Sequence, residues 1–202
     1  MMPEGKILAV LKVVQCIVFP AYLVANFAAF GMRTFVIPVQ GLIHPGGFAI
    51  VPTWLGIYSW EIAALIFVAR SDSTITFWRS YLPVALWCTS NIAEATWSIS
   101  NAKGPLGMLL PMMILSAVAL LLLGFATRHA TGQEFWLTCA PFWFHAGWAT
   151  TVALVNASQQ LASTGADVAT QFDFAFASPI VACGLVLLAL CLTLLATARR
   201  VV

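Results

Sequence analysis

The stretch Pro141-Phe-Trp-Phe-His-Ala-Gly-Trp-Ala-Thr-Thr-Val-Ala-Leu-Val-Asn156 decides how the rest of the chain is interpreted. It is apolar and long enough to lie in a bilayer, but it carries groups that a lipid-facing helix avoids. A helix with one polar-aromatic face and one small-residue face packs against neighbours and lines an interior. At helical spacing the polar-aromatic face holds His145, Trp148, Val152, Asn156 and Gln159, and the small face holds Ala146, Ala149, Ala153 and Ala157.

Composition places the whole chain in a membrane. Its 202 residues are 61% hydrophobic and only 8% charged, whereas a soluble domain carries about 25% charged residues. The net charge of +2 is small and scattered, which argues against a nucleic-acid partner. The cysteines show no metal-binding or disulfide spacing and are interpreted as small buried hydrophobes; they are Cys16, Cys88, Cys139, Cys183 and Cys191.

Six segments have the length and apolarity of a membrane span, which needs about 20 residues. They cover residues 7–30, 49–69, 81–100, 105–126, 137–161 and 174–196. The predicted fold is an all-α integral membrane protein that forms a single helical bundle over residues 1–202. The first segment is expected to be a retained helix and not a cleaved signal.

The basic residues support six spans and an orientation. With six spans both termini share one side of the membrane, and that side receives seven of the nine basic residues: Lys6, Lys12, Arg70, Arg79, Arg128, Arg199 and Arg200. Only Arg33 and Lys103 fall on the other side. The positive-inside rule therefore predicts that both termini face the cytoplasm, or the matrix or stroma of an organelle.

Two carboxylates, Glu61 and Glu94, lie inside predicted spans. A charge near the bilayer centre costs about 2.5–3.5 kcal/mol on insertion scales, so each must face the bundle interior. Each shares a helix face with polar and aromatic residues, and the first and fifth spans carry similar stripes. The stripes are Gln15/Phe19/Tyr22/Asn26, Trp54/Tyr58/Glu61/Leu65, Trp87/Asn91/Glu94/Ser98 and His145/Trp148/Asn156. The fourth and sixth spans show nothing comparable and are interpreted as packing or lipid-facing helices.

Four such stripes indicate one interior site with aromatic walls, a form that suits a flat, mostly apolar ligand. Three alternatives stay open. The polar groups can simply bind one another and fix the helix packing. His145 can be a hydrogen-bonded packing group or an axial ligand to haem iron or chlorophyll magnesium. Glu61 and Glu94 can be structural or can relay protons in a proton-coupled transporter.

Several motifs resemble the TspO/MBR family of tryptophan-rich sensory and translocator proteins. The segment from Pro141 through Trp148 to Asn156 is similar to that family's last helix, particularly in its eukaryotic TspO-like branch. Asn91 with Trp97 resembles its third-helix element, and Trp54 with Tyr58 its Trp-x-x-x-Tyr segment. The resemblance covers roughly residues 20–161. The family's Trp-x-Pro-Pro loop is absent, and a sixth span at about 174–196 follows the five expected.

This resemblance implies a five-helix TspO-like bundle with an added C-terminal helix, and a pocket that binds a porphyrin or a sterol for transport or sensing, not for catalysis. Haem, chlorophyll or a sterol are the candidate bound groups, with no metal bound by the protein itself. The expected partners are lipids, a hydrophobic small molecule, and a second copy or a larger membrane complex. An accessory subunit of a respiratory or photosynthetic complex is the alternative. The predicted ligand-binding residues are Trp54, Tyr58, Trp87, Asn91, Glu94, Trp97, His145, Trp148 and Asn156.

Overall fold

The computed structural model describes residues 4–31, 47–72, 74–103, 109–178 and 180. Within these ranges the chain is helical and contains no β-strand, which confirms the predicted all-α class. The elements are α1 (Glu4–Gly31), α2 (Gly47–Arg70), a 3-10 turn (Thr76–Trp78), α3 (Leu82–Lys103), α4 (Leu109–Ala126), α5 (Gly132–Thr138) and α6 (Ala140–Ser163). A further helix, α7, covers residues 168–178.

The first five predicted spans each correspond to a helix, namely α1, α2, α3, α4 and α6. The sixth predicted span begins inside α7, but its residue 179 and those after 180 lie outside the described part of the chain. Most of the first predicted loop, including His44, lies outside it as well.

Three helical segments are long and apolar enough to cross a membrane: Gly5–Ala28, Pro52–Arg70 and Leu109–Ala126. Helices α3 and α6, at 22 and 24 residues, are about 33 and 36 Å long, which also matches a bilayer. Their lower hydropathy comes from polar residues such as Asn91, Glu94 and His145, all of which are buried inside the protein. These three polar side chains therefore face the interior of the protein, whereas Ile92, Ile99 and Phe144 of the same helices are exposed.

The chain divides into two compact units. Among the described residues, those up to Ala153 form the first unit and those from Leu154 onward form the second. Helix α6 begins in the first unit and ends in the second. All the contacts of the candidate site below lie within the first unit.

In the first unit, α3 packs against both α1 and α4. Trp87 of α3 is fully buried among Phe19, Phe77 and Phe142, with ring centroids 5.5, 5.9 and 4.9 Å away. The end of α2 is held by α1, because the Lys12 ammonium donates to the carbonyls of Ala69 and Ser71. A cation at a helix C-terminus satisfies carbonyls that have no partner within the helix.

The predicted fifth span is divided into α5 and α6 at Cys139. Pro141 follows two residues later, and proline supplies no backbone N–H to the preceding turn, which favours a bend at this point. After the bend, the indole of Trp143 packs directly on Gly124 of α4. A Cβ atom at Gly124 would lie 2.7 Å from Trp143 Cε2, so only glycine permits this approach.

The second unit includes a capped helix. The backbone turns at Gly165, whose φ of +79° favours glycine, and Asp167 precedes α7. A carboxylate oxygen of Asp167 accepts a hydrogen bond from the Thr170 amide at 2.7 Å, the geometry of an N-cap. This bond favours the charged carboxylate and lowers the pKa of Asp167 below its usual value.

We expect Gly124→Ala to destabilise the protein by about 1–3 kcal/mol, because the added methyl overpacks the contact with Trp143. Gly147→Ala is the matched control, since a Cβ there meets nothing within 4 Å and alanine favours the helix. Thermal unfolding of both variants in the same detergent measures the difference. Equal stability of the two variants would contradict the close approach.

We expect the Thr170 amide to stay protected from hydrogen exchange until the pH falls below about 3.9, the usual pKa of aspartate. The reason is that the lowered pKa of Asp167 keeps the cap intact above that value and loses it as the pH falls through the folded-state pKa. Asp167→Asn, which caps without titrating, should show no such loss. Parallel pH-dependent losses in both proteins would show that the Asp167 charge is not the cause.

Candidate functional site

Three titratable side chains from three helices meet in the interior of the first unit. His145 of α6 lies between Glu61 of α2 and Glu94 of α3, with Nδ1 2.7 Å from Glu61 Oε1 and Nε2 2.8 Å from Glu94 Oε1. All three side chains have no solvent exposure. These three residues are called the Glu–His–Glu site below.

Each residue of the site lies near the middle of its helical segment. Glu61 is at the centre of Pro52–Arg70, Glu94 is near the centre of α3, and His145 is near the centre of the bent pair formed by α5 and α6. For helices that cross a bilayer, these positions are far from both surfaces. The sequence therefore places three ionisable groups where desolvation is greatest.

Two more helices contribute hydroxyl groups that bind Glu94. The Tyr22 hydroxyl of α1 donates to Oε2 at 2.7 Å, and the Ser116 hydroxyl of α4 donates to Oε1 at 2.5 Å. Ser90 lies 2.9 Å from Ser116, and because Ser116 donates its proton to Glu94, Ser90 is the donor to Ser116. Both carboxylate oxygens of Glu94 are thus satisfied.

A polar pair on α1 and α3 adjoins this network. The Asn26 amide donates to the Tyr22 carbonyl at 3.1 Å, and Ser98 donates to Asn26 Oδ1. Asn26 has no exposure and Ser98 only 4%. This pair fixes the end of α1 that carries Tyr22 against α3.

Aromatic rings line one side of the Glu–His–Glu site. The Trp54 ring lies edge-on to His145 and to Trp148, at centroid distances of 6.0 and 5.8 Å, and packs on Tyr58 at 5.2 Å. Tyr58 in turn lies edge-on to Tyr22 at 5.9 Å. The rings of Trp54, Tyr58 and Trp148 are called the aromatic wall below.

Polar atoms next to this wall have no hydrogen-bond partner among the described residues. They are the Tyr58 hydroxyl, Glu61 Oε2 and Trp148 Nε1. His145 Nε2 has no hydrogen bond either, because its 2.8 Å contact with Glu94 is an ion pair without hydrogen-bond geometry. Leaving a buried donor or acceptor unpaired costs about 1–3 kcal/mol, and more for a charged group. Glu61 differs in this respect from Glu94, because only one of its oxygens has a partner.

Five of the predicted ligand-binding residues come together here, either in the aromatic wall or in the Glu–His–Glu site: Trp54, Tyr58, Glu94, His145 and Trp148. Trp87 belongs to the cluster with Phe19, Phe77 and Phe142.

The remaining predicted residues have no polar contact that links them to the Glu–His–Glu site in the described part of the chain. Asn91 is fully buried, and neither its amide nitrogen nor its amide oxygen has a hydrogen-bond partner there; the same is true of Trp97 Nε1. Asn156 is buried too and belongs to the second unit. A ligand-binding role for these residues stays a prediction.

The prediction that both intramembrane carboxylates face inward is confirmed, since neither Glu61 nor Glu94 is exposed. The stripe predicted on the first helix is also buried. The fourth span shows no polar-aromatic stripe and was interpreted as a packing or lipid-facing helix, yet its Ser116 hydroxyl binds Glu94. A single serine inside a Leu- and Met-rich helix gives no periodic signal, and its hydroxyl matters only because α4 packs against α3.

An axial-ligand role for His145 does not fit this geometry. Coordination of haem iron or chlorophyll magnesium needs one free imidazole nitrogen, whereas both nitrogens of His145 face carboxylates. No group of three His, Cys, Asp or Glu side chains suited to a metal ion occurs in the ranges that the structure describes. A tetrapyrrole at this site would be held by its rings and edges and not through its metal.

Comparisons with known proteins assign no family: no family model matches the chain, and no curated protein or solved structure matches it. The resemblance to the TspO/MBR family stays a prediction from short motifs. A fold does not by itself specify a function, so only the residues of the site indicate one.

We expect His145→Leu alone to lower the free energy of unfolding by about 3–5 kcal/mol, because it leaves two buried carboxylates without their shared partner. The triple variant Glu61→Met, His145→Leu, Glu94→Met removes all three groups and should be less destabilised than the single variant. Thermal unfolding in one detergent compares them. If the triple variant is at least as unstable as His145→Leu, the unpaired carboxylates are not the cause of the destabilisation.

Proposed function

We propose that this protein is a multi-pass integral membrane protein that binds a mainly apolar, flat ligand inside its helix bundle, for transport or sensing. The ligand would lie against the aromatic wall and present a polar group to the Glu–His–Glu site. The observation that carries this proposal is the set of buried, unpaired polar atoms beside the wall: the Tyr58 hydroxyl, Glu61 Oε2 and Trp148 Nε1. A ligand group that pairs with them would recover the free energy that their burial costs.

The form of the site supports this class of ligand. Small-molecule sites are mostly apolar and aromatic, with a few polar groups that set the orientation of the ligand. Trp54 and Tyr58 supply flat apolar surfaces. Each side chain is only 5% exposed, so both are shielded from water and lipid. A tetrapyrrole or a sterol has the matching shape, and the TspO-like motifs imply the same two classes.

The membrane arrangement belongs to the same proposal. Three helices have the length and apolarity of spans, and the most polar side chains in the middle of α3 and α6, Asn91, Glu94 and His145, are buried in the protein. With six spans, both termini would lie on the cytoplasmic side or its organellar equivalent, together with seven of the nine basic residues.

The ligand is tested with protoporphyrin IX and, separately, with the fluorescent sterol dehydroergosterol, each titrated into the purified protein in lipid nanodiscs. We expect saturable quenching of tryptophan fluorescence by at least one of them. Trp148→Phe keeps a ring but removes the indole N–H, and the loss of one hydrogen bond should weaken binding roughly threefold to tenfold.

Trp136→Phe is the matched control, because Trp136 is 61% exposed and contributes only its backbone carbonyl to a hydrogen bond with Trp60. It should bind like the unchanged protein. Linear, unsaturable quenching by both probes, or equal weakening in the two variants, would contradict the proposed site.

The predicted alternative is that the protein is an accessory subunit of a respiratory or photosynthetic complex. In that case it should co-purify with a large complex at fixed stoichiometry after mild extraction. A discrete monomer or homodimer that binds either probe would favour the ligand-binding proposal instead.

A further inference from the structure

The Glu–His–Glu site has a charge that depends on how many protons it holds. With the imidazole protonated and both carboxylates ionised, its net charge is −1. The site is neutral only when two exchangeable protons are distributed over Glu61, Glu94 and His145. Because an uncompensated charge in a medium of low dielectric constant is costly, the neutral state with two protons is favoured when nothing else supplies a positive charge.

The hydrogen bonds distinguish the two carboxylates. Glu94 accepts hydrogen bonds from Tyr22 and Ser116 and also forms an ion pair with His145. These contacts stabilise its ionised carboxylate. Glu61 has only the His145 contact, and its Oε2 has no partner in the described chain. The second proton is therefore assigned to Glu61.

A positive charge brought by a ligand can replace that proton. Glu61 lies one helical turn after Tyr58 and two turns after Trp54, so Oε2 and two rings of the aromatic wall belong to one face of α2. Tryptophan and tyrosine rings attract cations by about 2 kcal/mol or more when water is excluded. A carboxylate beside such rings recognises a monovalent cation with an apolar body.

The other groups that face the site do not supply this charge. The hydroxyl groups of Tyr22, Tyr58 and Ser116 are neutral. Glu94 of α3 is already paired with His145 of α6. Among the side chains that the structure describes, no lysine or arginine is buried.

We propose that the ligand of this protein is a lipophilic monocation, such as a protonated or quaternary amine, and that it binds in exchange for one proton from Glu61. This inference rests on the proposed ligand site and specifies the chemical class of its ligand. The exchange is balanced: one cation enters from water or lipid, Glu61 loses its proton to water, and the site remains neutral.

The test uses two probes of nearly the same size and shape, trimethylphenylammonium and its neutral counterpart tert-butylbenzene. Binding to the purified protein in nanodiscs at neutral pH is followed by tryptophan fluorescence, and calorimetry in buffers of different ionisation enthalpy counts the protons released. We expect the cation to bind at least about tenfold more tightly than the neutral compound. Its binding should release close to one proton per site.

Glu61→Gln should abolish both the preference for the cation and the proton release, while the neutral compound still binds. Asp72→Asn is the control, because it makes the same carboxylate-to-amide change at an exposed position outside α2 and should leave both unchanged. The proton count is measured on the unchanged protein, so it tests the exchange even where Glu61→Gln folds poorly.

The possible failures are distinguishable. Equal binding of the two probes, cation binding without proton release, or binding of protoporphyrin IX or dehydroergosterol while neither small probe binds would each overturn the cation exchange and leave the proposed ligand site standing. Failure of all four compounds to bind saturably would overturn the ligand site itself, and the exchange with it.

Discussion

The contact of His145 with Glu61 and Glu94 is the interaction on which the rest of the first unit depends. It joins α2, α3 and α6 at one point, and Tyr22 and Ser116 extend the network to α1 and α4. Five helices are thus held together by ion pairs and hydrogen bonds. Between membrane helices this matters, because lipid provides no hydrophobic driving force to bring one apolar helix surface against another.

The network constrains the sequence, because burying its charged groups costs folding free energy unless every partner is present. A buried ion pair contributes little net stability relative to an apolar replacement, but an incomplete one is strongly destabilising. The aromatic rings around it exclude water and so strengthen the electrostatic contacts inside. The site carries this cost together with one unpaired carboxylate oxygen, and these two features are the basis of the binding role proposed above.

Periodicity in the sequence was enough to find the inward faces of the helices. Gln15, Phe19, Tyr22 and Asn26 recur at helical spacing, and all four are buried. The inward position of Glu61 and Glu94 followed from the cost of exposing a charge to lipid. The partner of each carboxylate could not be predicted from the sequence, because residue spacing within one helix does not determine which helix packs against it. Ser116 was missed for the same reason.

By itself the sequence determined the helical class, the approximate bounds of five helices and the buried stripe on each polar helix. These are consequences of local apolarity and of 3.6-residue periodicity, which act within one segment. Only the tertiary structure decided that both nitrogens of His145 lie within ion-pair distance of a carboxylate, and that Trp87 packs in a different cluster from Trp54. Such facts depend on the rotation and depth of each helix against its neighbours, which are set by contacts between residues far apart in the chain.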